Sequence, residues 1–174
     1  MHGRARLRAV ALGTTRPDAA PTAHGAGVGT VALTLTLAVT ALAGCSRAVS
    51  VTLPGQADSA ACAAVSGLWP ADVAGHQPVD VSPASPAVRA YGDPAVIARC
   101  GVAEPAPSTD CLSVNDVDWV VTMLTDGAKF VTYGRSPALE VLVPSSAAPG
   151  SEGSLLPVFT AAAKALPTTG RKCS

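Results

Sequence analysis

Carboxylate side chains are the first candidates for chemistry in this sequence. Asn115-Asp116-Val117-Asp118 resembles a fragment of a calcium-binding loop, in which such side chains supply oxygen ligands. The central glycine and the final glutamate of that loop are missing. On a strand the two aspartates would share one face, where a solvated edge is a commoner arrangement than a metal site. Asp118 and Glu140 would suit glycoside hydrolysis if their strands were adjacent. A cell-wall-directed hydrolase using Asp118 or Glu140 is therefore the alternative function.

Other groups that could support catalysis are sparse. His76 is the sole histidine after residue 44, and no serine lies in a nucleophile-elbow sequence. The glycines form no phosphate-binding loop. Together these patterns predict no cofactor and no metal, and they favour a non-enzymatic role while the hydrolase stays the alternative. Trp119, Phe130 and Tyr133 could form an exposed platform for a glycan or peptide, but strand aromatics more often belong to the core.

Cys45 carries the most specific chemical signal. Leu42-Ala43-Gly44-Cys45 resembles the bacterial lipobox, in which small residues precede a cysteine that becomes lipidated. The resemblance implies a diacylglyceryl group, with acyl chains such as palmitate, on the Cys45 sulfur and cleavage after Gly44. Two acyl chains anchor a protein stably, since each buried CH₂ contributes about 0.8 kcal/mol. The alternative is a secreted protein in which Cys45 forms a disulfide.

The four other cysteines are even in number, as expected for an exported chain with two disulfides. Three pairings are possible. We favour Cys100–Cys111, which closes a short loop, together with Cys62–Cys173, which joins the first helix to the C-terminal tail. A zinc site is the competing interpretation, but the sequence contains no CxxC spacing and no paired histidines.

The segment before Cys45 contains the parts of a secretory signal in the expected order: a basic region, an apolar run and small residues. Four arginines and one aspartate lie in residues 1–44, and the uncharged run 28–42 is shorter than the ~20 residues that span a bilayer. Residues 45–174 carry 8 Lys and Arg against 11 Asp and Glu, a net charge of −3. This acidic balance argues against nucleic-acid binding. With 48% hydrophobic residues, the chain is also too apolar for a disordered protein.

These segments predict three parts: a lipoprotein signal peptide over 1–44, a tether over 45–57 and a single domain over 58–174. Asp58 or Ser59 caps a predicted helix over Ala60–Ser66, and Gly67 stops it. Residues 70–90 contain four prolines and a glycine, which predict an irregular connector between the first helix and the first strand. Ser154 caps a second predicted helix that reaches Leu166, with Pro157 in its first turn.

Strand patterns fill the region between the two predicted helices. Four strands are predicted, at 96–102, 114–124, 129–133 and 139–143, the first of them at an edge. Val117, Trp119, Val121 and Met123 would share one face of the second strand, and Asp126-Gly127 would form a two-residue hairpin loop. The predicted fold class is α+β: a small antiparallel sheet of about four strands, flanked by an N-terminal and a C-terminal helix and stapled by disulfides.

A family resemblance rests on several motifs spread over 61–173. They are Tyr91-Gly92-Asp93-Pro94, Ile97-Ala98-Arg99-Cys100-Gly101-Val102, Cys111, Val114-Asn115, Val117, Trp119, Phe130-Val131-Thr132-Tyr133-Gly134-Arg135-Ser136-Pro137, Glu140-Val141 and Val143-Pro144. Together they resemble an actinobacterial exported or lipoprotein family known only as domain of unknown function 3515. Asp116 departs from the glycine expected after Asn115, which favours a looser turn. The resemblance implies an exported, disulfide-containing protein and supplies no activity.

We therefore expect a lipoprotein on the outer face of the cytoplasmic membrane, attached to the membrane through Cys45. The lack of a catalytic constellation favours a non-enzymatic binding or structural module of the cell envelope. Its expected partner is another envelope protein or a cell-wall component.

Overall fold

The computed structural model describes residues 47–174. The predicted signal peptide and Cys45 lie outside these residues. The strands are β1 Val49–Ser50, β2 Pro78–Val79, β3 Val81–Ser82, β4 Val88–Tyr91, β5 Val96–Val102, β6 Cys111–Val114, β7 Val117–Leu124, β8 Gly127–Tyr133 and β9 Ala138–Pro144. The helices are α1 Ala60–Val65, a 3₁₀ helix over Glu152–Phe159 and α2 Thr160–Lys164.

The architecture is mostly β, so the predicted α+β class with about four strands is wrong. Seven strands form one antiparallel sheet in the order β2-β4-β5-β9-β8-β7-β6, and β1 pairs with β3 in a separate parallel pair. Strands β6 to β9 form a meander, and β9 then pairs with β5. β5 is therefore interior to the sheet, not at the predicted edge.

Alternation of side chains along the strands places the core on one face of the sheet. Trp119 and Val117 on β7 are almost fully buried, as are Leu139, Val141 and Val143 on β9, because successive strand residues point to opposite faces. Val121 and Met123 lie on the same face, as predicted, but Met123 is 69% exposed near the tip of the β7–β8 hairpin. Leu156 and Phe159 of the 3₁₀ helix belong to the same buried cluster.

Two turns differ from the sequence-based prediction. The predicted strand 114–124 is divided by a tight two-residue turn, in which Asn115 and Asp116 have φ of 50° and 62°. Asn and Asp tolerate this left-handed conformation better than most residues, so the expected looser turn is not formed. The β7–β8 loop is Thr125-Asp126, and Gly127 is the first residue of β8. A Cβ at Gly127 would collide with the Val143 carbonyl oxygen, so the close approach of β9 requires glycine there.

Helix α1 confirms the prediction for 60–66, since the Ser59 side chain accepts a hydrogen bond from the Cys62 N–H. The predicted helix from Ser154 to Leu166 is wrong over most of its length. The chain forms a 3₁₀ helix up to Phe159, and only five residues of α-helix follow it. Pro157 lies inside the 3₁₀ helix, where its missing N–H cannot support an α-helical ladder.

Short strands lie within the segment predicted as a connector. β2 and β4 pair with each other at one side of the main sheet, and β3 pairs with β1. The segment predicted as a tether is attached to the domain from Val49 onward. Val49 N–H donates to the Asp80 carbonyl, and Gln56 N–H donates to the Gly101 carbonyl, at 2.8 and 3.1 Å.

Two disulfides are present, as predicted, but the favoured pairing is wrong. Cys62 bonds to Cys100, and Cys111 bonds to Cys173. Cys100 lies on β5 and Cys111 on β6, which are separated by three intervening strands. Four strand spacings put β5 and β6 about 19 Å apart, whereas the Cα atoms of a disulfide lie within about 7 Å.

Candidate functional site

The two carboxylates predicted as a catalytic pair lie on one face of the sheet but not on adjacent strands. Asp118 is opposite Tyr133, and Glu140 is opposite Val131, so β8 separates them. Two strand spacings and an offset of two residues put their Cα atoms about 12 Å apart. The condition of adjacent strands is therefore not met.

Each of these carboxylates has a structural partner. Glu140, which is 5% exposed, forms an ion pair with Arg99 on the neighbouring strand β5. The other side of the Arg99 guanidinium donates to the Thr52 carbonyl at 3.0 Å, which ties the N-terminal segment to the sheet. Asp118 accepts a hydrogen bond from the Cys173 N–H at 2.9 Å. Both side chains thus hold chain segments in place.

A small cavity lined by charged side chains lies beside Asp118. We call it the C-terminal pocket and define it by Asp118, Tyr133, Arg135 and the tail residues 170–172 that line it. Its volume is about 140 Å³. Asp118, Tyr133 and Arg135 are 7%, 8% and 9% exposed, whereas the tail residues are exposed and form its outer wall. The pocket therefore joins buried groups of both charges to a solvent-facing rim.

The strands and α2 fix the inner wall of the C-terminal pocket. Arg135 follows β8, and its Nη1 donates to the carbonyls of Leu166 and Lys164 at 2.6 and 3.4 Å. A cation here satisfies carbonyls that the end of α2 leaves unpaired. Gly134 has a φ of +75°, and a Cβ there would collide with the Arg171 carbonyl oxygen. Glycine at this position lets the tail approach the end of β8.

Glu104 and one disulfide hold the tail over the pocket. Glu104 accepts hydrogen bonds from the Gly134 N–H and the Thr169 hydroxyl, both at 2.9 Å, and pairs with Arg171 at 3.3 Å. The Cys111–Cys173 disulfide fixes the tail to β6. The outer wall is thus a terminal segment held by one covalent bond and by polar contacts.

Burial changes the acid–base properties of two groups. Desolvation lowers the pKa of the Arg135 guanidinium from its ordinary value, and the nearby Asp118 carboxylate opposes this shift. Burial also raises the pKa of Tyr91, outside the pocket, to about 12, because its charged phenolate is disfavoured there. The Tyr91 hydroxyl donates to the Pro70 carbonyl at 3.0 Å.

The other residues considered from the sequence are dispersed. Trp119 and Phe130 belong to the core, so they form no exposed platform, while Tyr133 lines the pocket. The Trp119 indole N–H has no hydrogen-bond partner in the described part of the chain. His76 is exposed. Over 47–174, no group of three or more His, Cys, Asp or Glu side chains could hold a metal ion.

A larger groove lies along the free edge of β7 beyond the end of β6. Its volume is about 590 Å³, and Leu112, Val121 and Met123 supply apolar surface to it. Asp110 is the sole charged side chain among the residues that line it. The groove therefore offers less specific recognition than the C-terminal pocket.

Arg135 and the tail were not identified as site residues from the sequence. Arg135 lies between the predicted strands 129–133 and 139–143, and nothing local to it signals a buried cation. Its carbonyl partners are about 30 residues away, so the site exists only once the sheet and the C-terminal segment have come together.

Comparisons with known proteins give one match. The family model DUF3515, described as a protein of unknown function, matches residues 26–169. No curated protein and no solved structure matches the chain. Among the helices of residues 47–174, none has the length and hydrophobicity needed to span a membrane.

Proposed function

The chain belongs to the DUF3515 family of proteins of unknown function, and we propose that this member is a lipoprotein that acts as a non-enzymatic binding module of the cell envelope. In this proposal, Cys45 carries the lipid and the domain lies on the outer face of the cytoplasmic membrane. The two disulfides of the domain are the observation that carries it. Disulfides persist in oxidising compartments and are rare in the cytosol.

The position of the disulfides fits an exported protein. The Cys62–Cys100 bond joins α1 to the interior strand β5, and both cysteines are fully buried. Such a bond stabilises a small domain by restricting its unfolded chain. Export through the predicted signal sequence would deliver the domain to the compartment where these bonds form.

The binding role is supported by what the polar groups do. Glu140 forms an ion pair with Arg99, and Asp118 accepts a hydrogen bond from the Cys173 N–H. The two carboxylates therefore do not face each other across one cleft as a catalytic pair would. The C-terminal pocket instead presents fixed charges in a small cavity, which is an arrangement suited to recognition. These contacts favour a binding module over the hydrolase alternative.

Lipid attachment is tested by replacing Cys45 with Ser and following the protein in membrane and soluble fractions. Ser46→Ala, one residue further along, is the matched control. The proposal predicts that Cys45→Ser moves the protein out of the membrane fraction and that Ser46→Ala does not. Unchanged membrane association of Cys45→Ser contradicts the proposal.

Binding without hydrolysis is tested with isolated cell walls and with chemical crosslinking of intact cells. The module should cosediment with wall material, or crosslink to a reproducible envelope protein, without releasing soluble wall fragments. Fragment release that is lost in Glu140→Gln or Asp118→Asn would establish the hydrolase instead.

A further inference from the structure

The C-terminal pocket contains two buried charges of opposite sign that do not pair with each other. Asp118 and Arg135 both line it, yet no ion pair joins them among the described residues. Burying a charge is costly unless polar partners replace its lost water. Part of each charge is met by protein partners, and its remaining polar atoms are open to solvent in the cavity, where a polar ligand can replace water.

Both side chains have unused hydrogen-bonding capacity. A guanidinium has five N–H donors, and within 47–174 the hydrogen bonds of Arg135 are made by Nη1 alone. Its Nε and Nη2 groups therefore lack protein acceptors there. Asp118 uses only Oδ2, for the Cys173 N–H. The Tyr133 hydroxyl, at the same cavity, has no hydrogen-bond partner in the described region.

We propose that the C-terminal pocket binds an α-amino-acid group, with its carboxylate on Arg135 and its ammonium on Asp118. A carboxylate matches the fork of N–H donors on a guanidinium. An ammonium supplies the donors that a carboxylate accepts. This inference rests on the proposed binding role and names the ligand class of that module.

The size of the cavity agrees with a small zwitterion. Each water occupies about 30 Å³ of liquid, so the cavity of about 140 Å³ holds the equivalent of roughly five waters. An alanine, with six non-hydrogen atoms, is comparable. A simple anion is less well matched, because the Asp118 carboxylate would repel it.

The rim of the pocket carries charges of both signs. Asp116, Arg171 and Lys172 are exposed and line it, and Arg171 is already paired with Glu104. The rim therefore does not select the charge of the ligand, and the charge match rests on Asp118 and Arg135. The amino-acid group can be free, or it can be the end of a larger molecule whose remainder stays outside.

The test is calorimetric titration of the full-length chain in detergent with L- and D-alanine. γ-Glutamylglycine carries the same group at the end of a larger molecule. N-acetylalanine lacks the ammonium, ethylamine lacks the carboxylate, and inorganic phosphate is the simple anion. We expect alanine or γ-glutamylglycine to bind at least tenfold more tightly than these three. Binding of alanine alone would identify a free amino acid, and binding of γ-glutamylglycine would identify a chain end.

Two variants connect binding to the pocket. Asp118→Asn keeps an acceptor for the Cys173 N–H but removes the charge, and Arg135→Gln keeps a donor for the carbonyls of α2. Each should weaken alanine binding at least tenfold, whereas the exposed Arg89→Gln, on β4, should leave it unchanged. Near-UV circular dichroism identifies variants that fail to fold.

Three results overturn the inference. The first is no saturation by alanine or γ-glutamylglycine up to about 10 mM, tenfold above the Kd of about 1 mM that a weak specific site would give. The second is equally tight binding of N-acetylalanine, ethylamine or phosphate. The third is unchanged binding by folded Asp118→Asn or by folded Arg135→Gln. Membrane fractionation of Cys45→Ser, and cosedimentation or crosslinking of the unsubstituted protein, report on the proposed function without any change in the pocket. If those results hold while alanine and γ-glutamylglycine fail to bind, the ligand class is overturned and the proposed function is not.

Discussion

Removing the Cys111–Cys173 disulfide tests both the fold and the pairing of the cysteines. The bond joins residues 62 positions apart. The chain-entropy relation for a loop of this length gives a stabilisation of about 4.3 kcal/mol. We therefore expect Cys111→Ser/Cys173→Ser to lower the free energy of unfolding by about 4 kcal/mol. A loss of this size is a large part of the 5–15 kcal/mol typical of a domain.

The pairing favoured from the sequence predicts a different outcome. With Cys100–Cys111 and Cys62–Cys173, the same double variant would break both bonds, whose cysteines are 11 and 111 positions apart. The summed loss would then be about 7.6 kcal/mol, and the two remaining cysteines would become free thiols. In the structure, Cys62–Cys100 survives the change intact.

Urea unfolding followed by tryptophan fluorescence measures the free energy, and thiol titration of the denatured protein counts the cysteines. We expect no thiols beyond those of the parent protein. Two additional thiols would refute the pairing seen in the structure. A stability loss below about 1 kcal/mol would refute the argument that this bond restricts the unfolded chain.

Four further predictions concern individual contacts. Digestion with trypsin and a protease that cuts before aspartate should give disulfide-linked peptides 58–71 with 100–109 and 110–115 with 173–174; mass spectrometry would identify a peptide 100–109 linked to 110–115 if the pairing were otherwise. The pKa of Tyr91 in the folded state, about 12, lies above its ordinary value of 10.0. The free energy of unfolding should therefore be unaffected below pH 10 and fall by roughly 2–3 kcal/mol as the pH rises through 12. Urea unfolding at several pH values measures this, and a Tyr91→Phe variant with the same decline would contradict it. Glu140→Gln should lower the free energy of unfolding in urea by about 1–3 kcal/mol, because Arg99 loses its buried partner. Lys164→Ala, at an exposed ion pair with Asp116, should lower it by less than about 0.5 kcal/mol. Equal losses would contradict the expected difference between the buried and the exposed ion pair. Asp116→Gly should leave thermal unfolding unchanged or raise stability by up to about 1 kcal/mol, because glycine adopts a φ of 62° without strain; a clear drop in the melting temperature would contradict this.

The sequence predicted the strands whose patterns are local and strong. β5 was predicted with the observed bounds, and the apolar face of β7 and the cap of α1 were also predicted. These features depend on side-chain alternation and on a hydrogen bond between residues three apart. Such signals need no knowledge of the rest of the fold.

The features that were missed depend on distant partners or short pairings. β2 and β3 have two residues each, and prolines in their segment obscure any alternation. The disulfide pairing follows from the order of strands in the sheet, which brings β9, β8 and β7 between β5 and β6. Sequence spacing alone carries no such information.

The candidate site was predicted only in part. Asp118 was identified as a possible functional group, but its partner was expected to be Glu140. The structure instead gathers Asp118 with Arg135 and a tail more than 50 residues away. The sequence predicts a helix end at Leu166 but does not show which cation meets its carbonyl, because Arg135 is 31 residues away along the chain.

The early start of β1 restricts how far a lipid-anchored domain can travel. Val49 N–H is already bonded to Asp80 at 2.8 Å, so four residue spacings separate a lipidated Cys45 from the folded domain. Fully extended, they reach about 14 Å, roughly the depth of a headgroup layer and a shell of water. Under the proposed anchoring, the linker would be too short for the domain to move away from the membrane surface. Any ligand would have to come to the bilayer surface, where it would meet a domain held in a narrow range of orientations.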